Sequence, residues 1–234
     1  MKIEHLEIID STSEYMKRKK NREEYEVVYA DEQTGGKGRR GNKWISNKGS
    51  GLFTYIVKNK NYEEKISLFV GYITYKVISK IVDNKNLKFK WPNDIYYNNK
   101  KLSGILVEKI DEDIIIGIGL NINNTDFGIF NENAVSLSIV TGKNYDIKEI
   151  ITDIVRETEI EIKNINENWN SIVSFLNENH LLNEKKVENN LKETYYVKEI
   201  NQNGSLKILK TGETEYKNIY SDEIKGIKIL NPQI

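Results

Sequence analysis

The chain of 234 residues has no cysteine and only two histidines, His5 and His180. Disulfides, thiolate metal sites and a cysteine nucleophile are therefore excluded, and two imidazoles cannot build a metal cluster. There is no net charge, because 35 Lys and Arg balance 35 Asp and Glu; no global field favours a nucleic-acid partner. No apolar run approaches the roughly 20 residues of a bilayer-spanning helix, and the start MKIEHLEIID carries no signal-peptide pattern. These absences predict a cytoplasmic protein without membrane attachment, whose chemistry rests on Lys, Arg, Asn, Asp and the backbone. The composition, 38% hydrophobic and 30% charged, is that of a soluble globular chain, and the length suits a main domain with a compact appendage.

Hydrophobic periodicity predicts a strand over 1–9, a helix cap at Asp10 to Ser13 and a helix from Glu14 to about Lys20. A strand at Tyr25–Ala30 leads into a segment with Gly35, Gly36, Gly38, Gly41, Gly49 and Gly51, and Leu52–Val57 resumes as a strand. Apolar residues at helical spacing predict a long helix over Glu63–Val82. Strands follow at Leu87–Trp91, Ile95–Tyr97, Ser103–Lys109 and Asp113–Leu120, the last two joined near Asp111 and Glu112. Residues 147–182 read as helical. Beyond Lys185, short strands at Glu193–Ile200, Ser205–Leu209 and Gly226–Leu230 alternate with the turns Asn203-Gly204 and Thr211-Gly212. The expectation is an α+β chain: a mixed or antiparallel sheet with helices over 1–183, then a small all-β barrel over 184–234.

Three motifs could carry chemistry. Gln33-Thr34-Gly35-Gly36-Lys37-Gly38-Arg39-Arg40-Gly41-Asn42-Lys43-Trp44 combines backbone N–H groups free to converge on an anion with Lys and Arg donors suited to phosphate. It matches neither the Walker nor the Rossmann pattern, and a solvated basic turn or a nucleic-acid patch explains it as well. Lys90-Trp91-Pro92-Asn93-Asp94, with Lys100-Lys101-Leu102-Ser103-Gly104 following, sets polar side chains at a strand edge; Lys101 could meet a carboxylate or phosphate, or simply be an exposed hairpin charge. Gly117-Ile118-Gly119-Leu120-Asn121-Ile122-Asn123 marks close approach to a strand, or a bulged strand ending in an Asn-rich turn.

DSTS at 10–13, QTGGKGRRGNKW at 33–44, KWPNDIYYNNKKLSGILVE at 90–108 and GIGLNIN at 117–123, in this order, resemble the successive signatures of the bacterial biotin protein ligases, the biotin–[acetyl-CoA-carboxylase] ligases. The resemblance implies a mixed sheet with helices on one face, in the manner of class II synthetases, and an SH3-like C-terminal barrel. It implies activation of biotin with ATP and Mg²⁺ to biotinyl-5′-AMP, then transfer to a lysine of the biotin carboxyl carrier protein. Carried over residue by residue, Ser11, Thr12, Ser13, Gln33, Lys37, Gly38, Arg39, Lys101 and Gly104 would surround biotin. Arg39, Arg40, Trp44, Lys90, Asn93, Asp94 and Asn121 would hold ATP or the adenylate. Lys101, Arg39 and Lys37 would be catalytic, and Asp94 the Mg²⁺ ligand. Glycine at 117 and 119 would leave room for adenine. Lys37 stands where the family commonly has arginine, and Ser221-Asp222-Glu223 where it commonly has Ser-Gly-Glu. Because the catalytic motifs begin almost at Met1, the form without an N-terminal DNA-binding domain is expected, with no repressor function and no specific DNA binding; a homodimer is compatible.

Overall fold

A computed structural model describes residues 1–58, 62, 65–221, 223 and 227–230. A seven-stranded sheet is built from β1 (Ile3–Ile9), β2 (Val27–Gln33), β3 (Ser50–Lys58), β4 (Leu87–Lys90), β5 (Asp94–Tyr97), β6 (Lys100–Ile110) and β7 (Asp113–Asn121), in the order β1-β2-β3-β7-β6-β5-β4. Only β1 and β2 pair in parallel, across the crossover helix α1 (Thr12–Arg18), so the sheet is mixed. The other helices are α2 (Ile66–Ser79), α3 (Leu137–Thr141), α4 (Ile147–Glu161) and α5 (Ile165–Glu178). A second, five-stranded antiparallel sheet has the order β11-β10-β9-β8-β12, formed by β8 (Lys186–Glu188), β9 (Thr194–Ile200), β10 (Leu206–Lys210), β11 (Lys217–Ile219) and β12 (Lys228–Ile229). Among the described residues no helix is long and apolar enough to cross a membrane.

Strand alternation divides the large sheet into two unequal faces. Phe53, Tyr55 and Val57 of β3 and Ile114, Ile116, Ile118 and Leu120 of β7 face α2, α4 and α5 in the main core, which extends to Val187, Val197 and Leu206 of the smaller sheet. Among the described residues the opposite face carries only α1, whose Met16 meets Val28, Ile56 and Ile115 in a cluster of four buried residues. Helices thus occupy both faces, where one had been expected. The reason is that Met16 gives even this short helix an apolar anchor. Moving away from α1 along that second face, β7 changes from Ile115 to Gly117 and Gly119. Their partners are Thr54 and Leu52 on β3 and Leu106 and Gly104 on β6. An uncovered trough results beside α1.

Several boundaries differ from the sequence reading. The first helix begins at Thr12, because Ser11 is the N-cap and its Oγ accepts from Glu14 N. The long helix runs Ile66–Ser79; its expected start at Glu63 lies outside the described residues, as does Gly226 of the last expected strand. The helical stretch 147–182 is two helices separated by a 3₁₀ turn at Ile162–Asn164. The short elements α3, β8 and β11 carry too few residues for a periodic signal.

The smaller sheet is fastened by side chains of the larger unit. Asn177 of α5 donates to Ile200 O (2.9 Å) and accepts from Ile200 N (2.7 Å). Trp169 Nε1 donates to Gln202 O (2.6 Å) and Trp91 Nε1 to Gly204 O (3.0 Å).

Candidate active site

The trough is a cavity of about 260 Å³ into which four separate segments project. Its floor is one row of paired positions across four strands, Lys90–Asp94–Gly104–Gly119. Gly104 and Gly119 face each other there, and the Trp44 indole lies over both. A Cβ at 119 would stand 2.3 Å from Trp44 Cε2, and one at 104 would stand 2.9 Å from Trp44 Cζ3. Neither position can carry a side chain while the ring is in place. The space above Gly119 is thus filled by Trp44 in this structure, and a Cβ at Gly117 would meet Ser13 Oγ at 2.5 Å.

Lys101 reaches this face because of a β-bulge. Between Ile95 and Tyr96 the register slips, so that Tyr96 opposes Lys101 instead of Leu102. Leu102 turns into the main core, fully buried, and Lys101 joins Asp94 and Tyr96 on the cavity side. Its Nζ lies 2.8 Å from Asp94 Oδ1 and 5.2 Å from the centre of the Trp44 ring. Lys90 Nζ stands 5.1 Å over the Tyr96 ring. Burial pushes the Lys90 ammonium below its ordinary range, against the pull of Asp94, and pushes the Tyr96 phenol up. A cation and a carboxylate already face each other here, so an anionic ligand can exchange with Asp94 as the partner of Lys101.

Asn93 is tied into the fold. Its Nδ2 donates to Ile105 O (2.6 Å), while Ile105 N donates to Asn93 O (2.9 Å), which presses the 91–94 turn onto β6. The turn is held from below by His180, whose Nε2 accepts from Trp91 N at 3.1 Å.

At the α1 end the cavity is lined by hydroxyls and an amide. Thr12 N and Oγ1 both donate to Gln33 Oε1 (2.7 and 3.1 Å), and Ser13 Oγ lies 3.1 Å from Thr54 Oγ1. These groups are neutral, suited to a ligand with its own donors and acceptors.

The Gly-rich loop crosses the cavity between β2 and β3, and its cations Lys37, Arg39 and Arg40 have protein partners. Lys37 Nζ meets Glu14 Oε1 at 2.9 Å, an atom it shares with Lys17. Hydrogen bonds from Lys37 and Lys17 hold the Glu14 carboxyl below its usual range. Arg39 Nη2 donates to Ser221 Oγ (2.7 Å) and Ser221 O (3.3 Å), and Arg40 donates to the same carbonyl. Ser221, just past β11, and Ile227, just before β12, thus line part of the cavity wall.

Of the fifteen site residues named from sequence, fourteen line this cavity. Asn121 does not. It lines an adjoining cavity of about 280 Å³ with Tyr96, Phe127 and Phe130, while Lys43, Trp44 and Lys101 border both spaces. The Asn121 side chain is buried, donating to Lys101 O (3.3 Å) and accepting from Asn124 Nδ2 (3.1 Å). Sequence reasoning missed Ser221 as a site residue, although its Ser-Asp-Glu context had stood out, and missed Phe127 and Phe130, which belong to no motif. Among the described residues no group of three or more His, Asp or Glu could hold a metal ion. Among the described residues Asp94 alone offers a carboxylate in the cavity. That suits Mg²⁺ arriving on a nucleotide, since this ion is commonly held by one or two carboxylates plus phosphate oxygens and water.

Known proteins share this chain's sequence pattern and its fold. Residues 5–123 match the sequence profile of the Biotin/lipoate A/B protein ligase family. The chain is 31% identical over 164 residues to the bifunctional ligase/repressor BirA of Escherichia coli, covering 65% of this chain and 50% of that protein. It is 28% identical over 137 residues to the biotin–[acetyl-CoA-carboxylase] ligase of Paracoccus denitrificans, covering 53% of this chain and 57% of that one. These matches thus span only about half the length of the curated relatives. The solved structure of the biotin protein ligase from Aquifex aeolicus, in complex with biotin and ATP, superposes with a TM-score of 0.86 at 27% identity, covering 98% of this chain and 99% of that one.

Proposed function

Because the chain belongs to the Biotin/lipoate A/B protein ligase family, we propose that it is a biotin protein ligase, which joins biotin to AMP and then to a lysine of the biotin carboxyl carrier protein of acetyl-CoA carboxylase. The observation that carries this reading is the convergence of fourteen residues, from the three stretches 11–13, 33–44 and 90–104, on one cavity that is neutral at the α1 end and charged at the Lys101 end. The relatives' names, which speak of biotin ligation, point the same way.

In the proposed reaction the biotin carboxylate attacks the α-phosphorus of ATP. A phosphorus–oxygen bond forms, pyrophosphate leaves, and biotinyl-5′-AMP remains. Ser11, Thr12, Ser13 and Gln33 take the ureido ring, which has two N–H donors and one carbonyl. Lys101, released from Asp94, neutralises the carboxylate and α-phosphate as they approach, with Arg39 and Lys37 adding charge that strengthens as the transition state forms. Gly38 and Gly104 let the ligand lie close to the backbone. Arg40, Lys90 and Asn93 serve the phosphates, and Trp44 leaves Gly119 to lie against adenine, with Asn121 and the adjoining apolar cavity receiving the base. Mg²⁺ on the nucleotide would be held by Asp94 and would supply further charge neutralisation. The carrier's amine then attacks the biotinyl carbonyl and AMP leaves; no enzyme nucleophile takes part.

We read β8 to β12 as the SH3-like barrel, a C-terminal domain over 184–234 set on a catalytic domain over 1–183. The bonds from Arg39 to Ser221 and from Trp91 to Gly204 support a role for it in closing the site. The test is ATP–pyrophosphate exchange with biotin or lipoate, followed by streptavidin blotting of the carrier. Biotin-dependent exchange and a labelled carrier are expected; exchange with lipoate alone would reverse the assignment.

A further inference from the structure

One hydroxyl beneath the neutral end of the cavity has no part in the scheme above. Thr54 lies on β3 directly opposite Gly117, with Leu52 and Ile56 as its neighbours on the same face. It is wholly buried, and a valine would fill its volume. A hydroxyl there costs desolvation unless it is bonded, and Thr54 is bonded twice. Its Oγ1 lies 2.9 Å from Thr12 Oγ1 and 3.1 Å from Ser13 Oγ. Glycine at 117 is what lets the Ser13 hydroxyl sit above this strand pair.

Counting protons gives the direction of each bond. Thr12 N–H donates to Gln33 Oε1 at 2.7 Å, which identifies that atom as the amide oxygen. The Thr12 hydroxyl, 3.1 Å from the same oxygen, can only donate to it. With its single proton so used, Thr12 accepts from Thr54; Thr54 in turn accepts from Ser13. Beyond the amide the direction is preserved, since Gln33 Nε2 donates to Ser46 Oγ (3.1 Å) and Ser46 Oγ to Trp44 O (3.2 Å). The consequence falls on the cavity: the hydroxyls of Ser13 and Thr12 have no proton left for a ligand and present lone pairs only.

We propose that Thr54 is a specificity-determining positioning residue whose hydroxyl locks Ser13 and Thr12 as hydrogen-bond acceptors, so that the cavity selects a ring bearing N–H donors, such as a cyclic urea, over a ring without them, such as a dithiolane. The proposal rests on the biotin reading of this cavity. Replacing Thr54 by valine keeps the shape but removes the middle link. Thr12 then loses its donor, and Ser13 is left with a proton that opposes the ligand's N–H.

The test is calorimetric titration of the full chain with biotin and with lipoate, on wild type, T54V and T54S, with thermal melts and steady-state KM for each substrate alongside. T54V should weaken biotin binding roughly tenfold, raise the KM for biotin while leaving kcat and the KM for ATP unchanged, and narrow the preference for biotin over lipoate. T54S, which restores the hydroxyl without the methyl, should recover the affinity. A double-mutant cycle with S13A should shrink the T54V effect, as a packing defect would not, and this holds even if T54V melts early. Unchanged biotin affinity in T54V, or a loss in T54S equal to that in T54V, would overturn the role of Thr54 and leave the ligase reading standing. Wild-type protein that binds no biotin would overturn the ligase reading itself.

Discussion

His180 offers a quantitative test of how the fold holds the Lys90–Asp94 end of the cavity. Its imidazole is buried, with Nε2 accepting from Trp91 N and with no partner for Nδ1 among the described residues. Burial, reinforced by the charges of Lys185 and Lys90, pushes its pKa from the ordinary 6.5 down to about 3. A depressed histidine pKa means that below 6.5 the unfolded chain binds a proton that the folded chain refuses. Stability is therefore fully present above 6.5, falls as the pH drops through that value, and levels off only near 3. The slope approaches about 1.4 kcal/mol per pH unit, which gives a loss of about 2 kcal/mol between roughly pH 7.5 and 5. Urea denaturation followed by tryptophan fluorescence across that range measures it. H180Q, whose amide oxygen can still accept from Trp91 N but cannot titrate, should show a flatter profile by this amount. The paired carboxylates Asp10 and Glu193, both held down to about 2 by their hydrogen bonds with Arg18 and Lys210, contribute equally to both proteins and cancel. Relative to H180Q, H180L should cost about 1–3 kcal/mol at every pH through the orphaned Trp91 N–H. Parallel acid profiles for wild type and H180Q would refute the reasoning.

Three further outcomes are expected. K101A should lower adenylate formation by about a hundredfold or more with little change in melting temperature, since its pair with Asp94 is partly exposed; near-normal pyrophosphate exchange would remove Lys101 from the chemistry. G119A should expel the Trp44 indole, at a cost of about 1–3 kcal/mol if the ring cannot leave freely; unchanged tryptophan emission and melting would show that the ring does not rest on Gly119. W91F should lose the bond to Gly204 O and about 1 kcal/mol, lowering the melting temperature by roughly 2–4 °C, and a melt at the wild-type temperature would show that this bond contributes nothing.

Much of the site was legible because its residues announce themselves chemically. Glycines at 104, 117 and 119 signal close approach whatever lies above them, and Pro92 with Asn93 and Asp94 signals a turn at a strand edge. What occupies the space above the glycines was not legible, since Trp44 comes from a different strand connection. Lys101 could not be told from an exposed hairpin lysine either, because alternation from Gly104 would send it to the other face. Asn121 read as one more member of a single site, yet its side chain turns to the Lys101 backbone and borders a neighbouring cavity.

Local periodicity and motif chemistry therefore specify the strands, the longer helices, the order of the signatures and an anion-seeking character without a nucleophile, because each depends on residues close together in the chain. The register slip at Ile95–Tyr96, the choice of the thinly covered face for the cavity, the reach of Ser221 to the Arg39 loop and the hydroxyl chain through Thr54 depend on pairings between strands far apart in sequence. A one-residue shift in such a pairing turns a side chain to the opposite face. No local pattern encodes that shift, and only the folded sheet decides it.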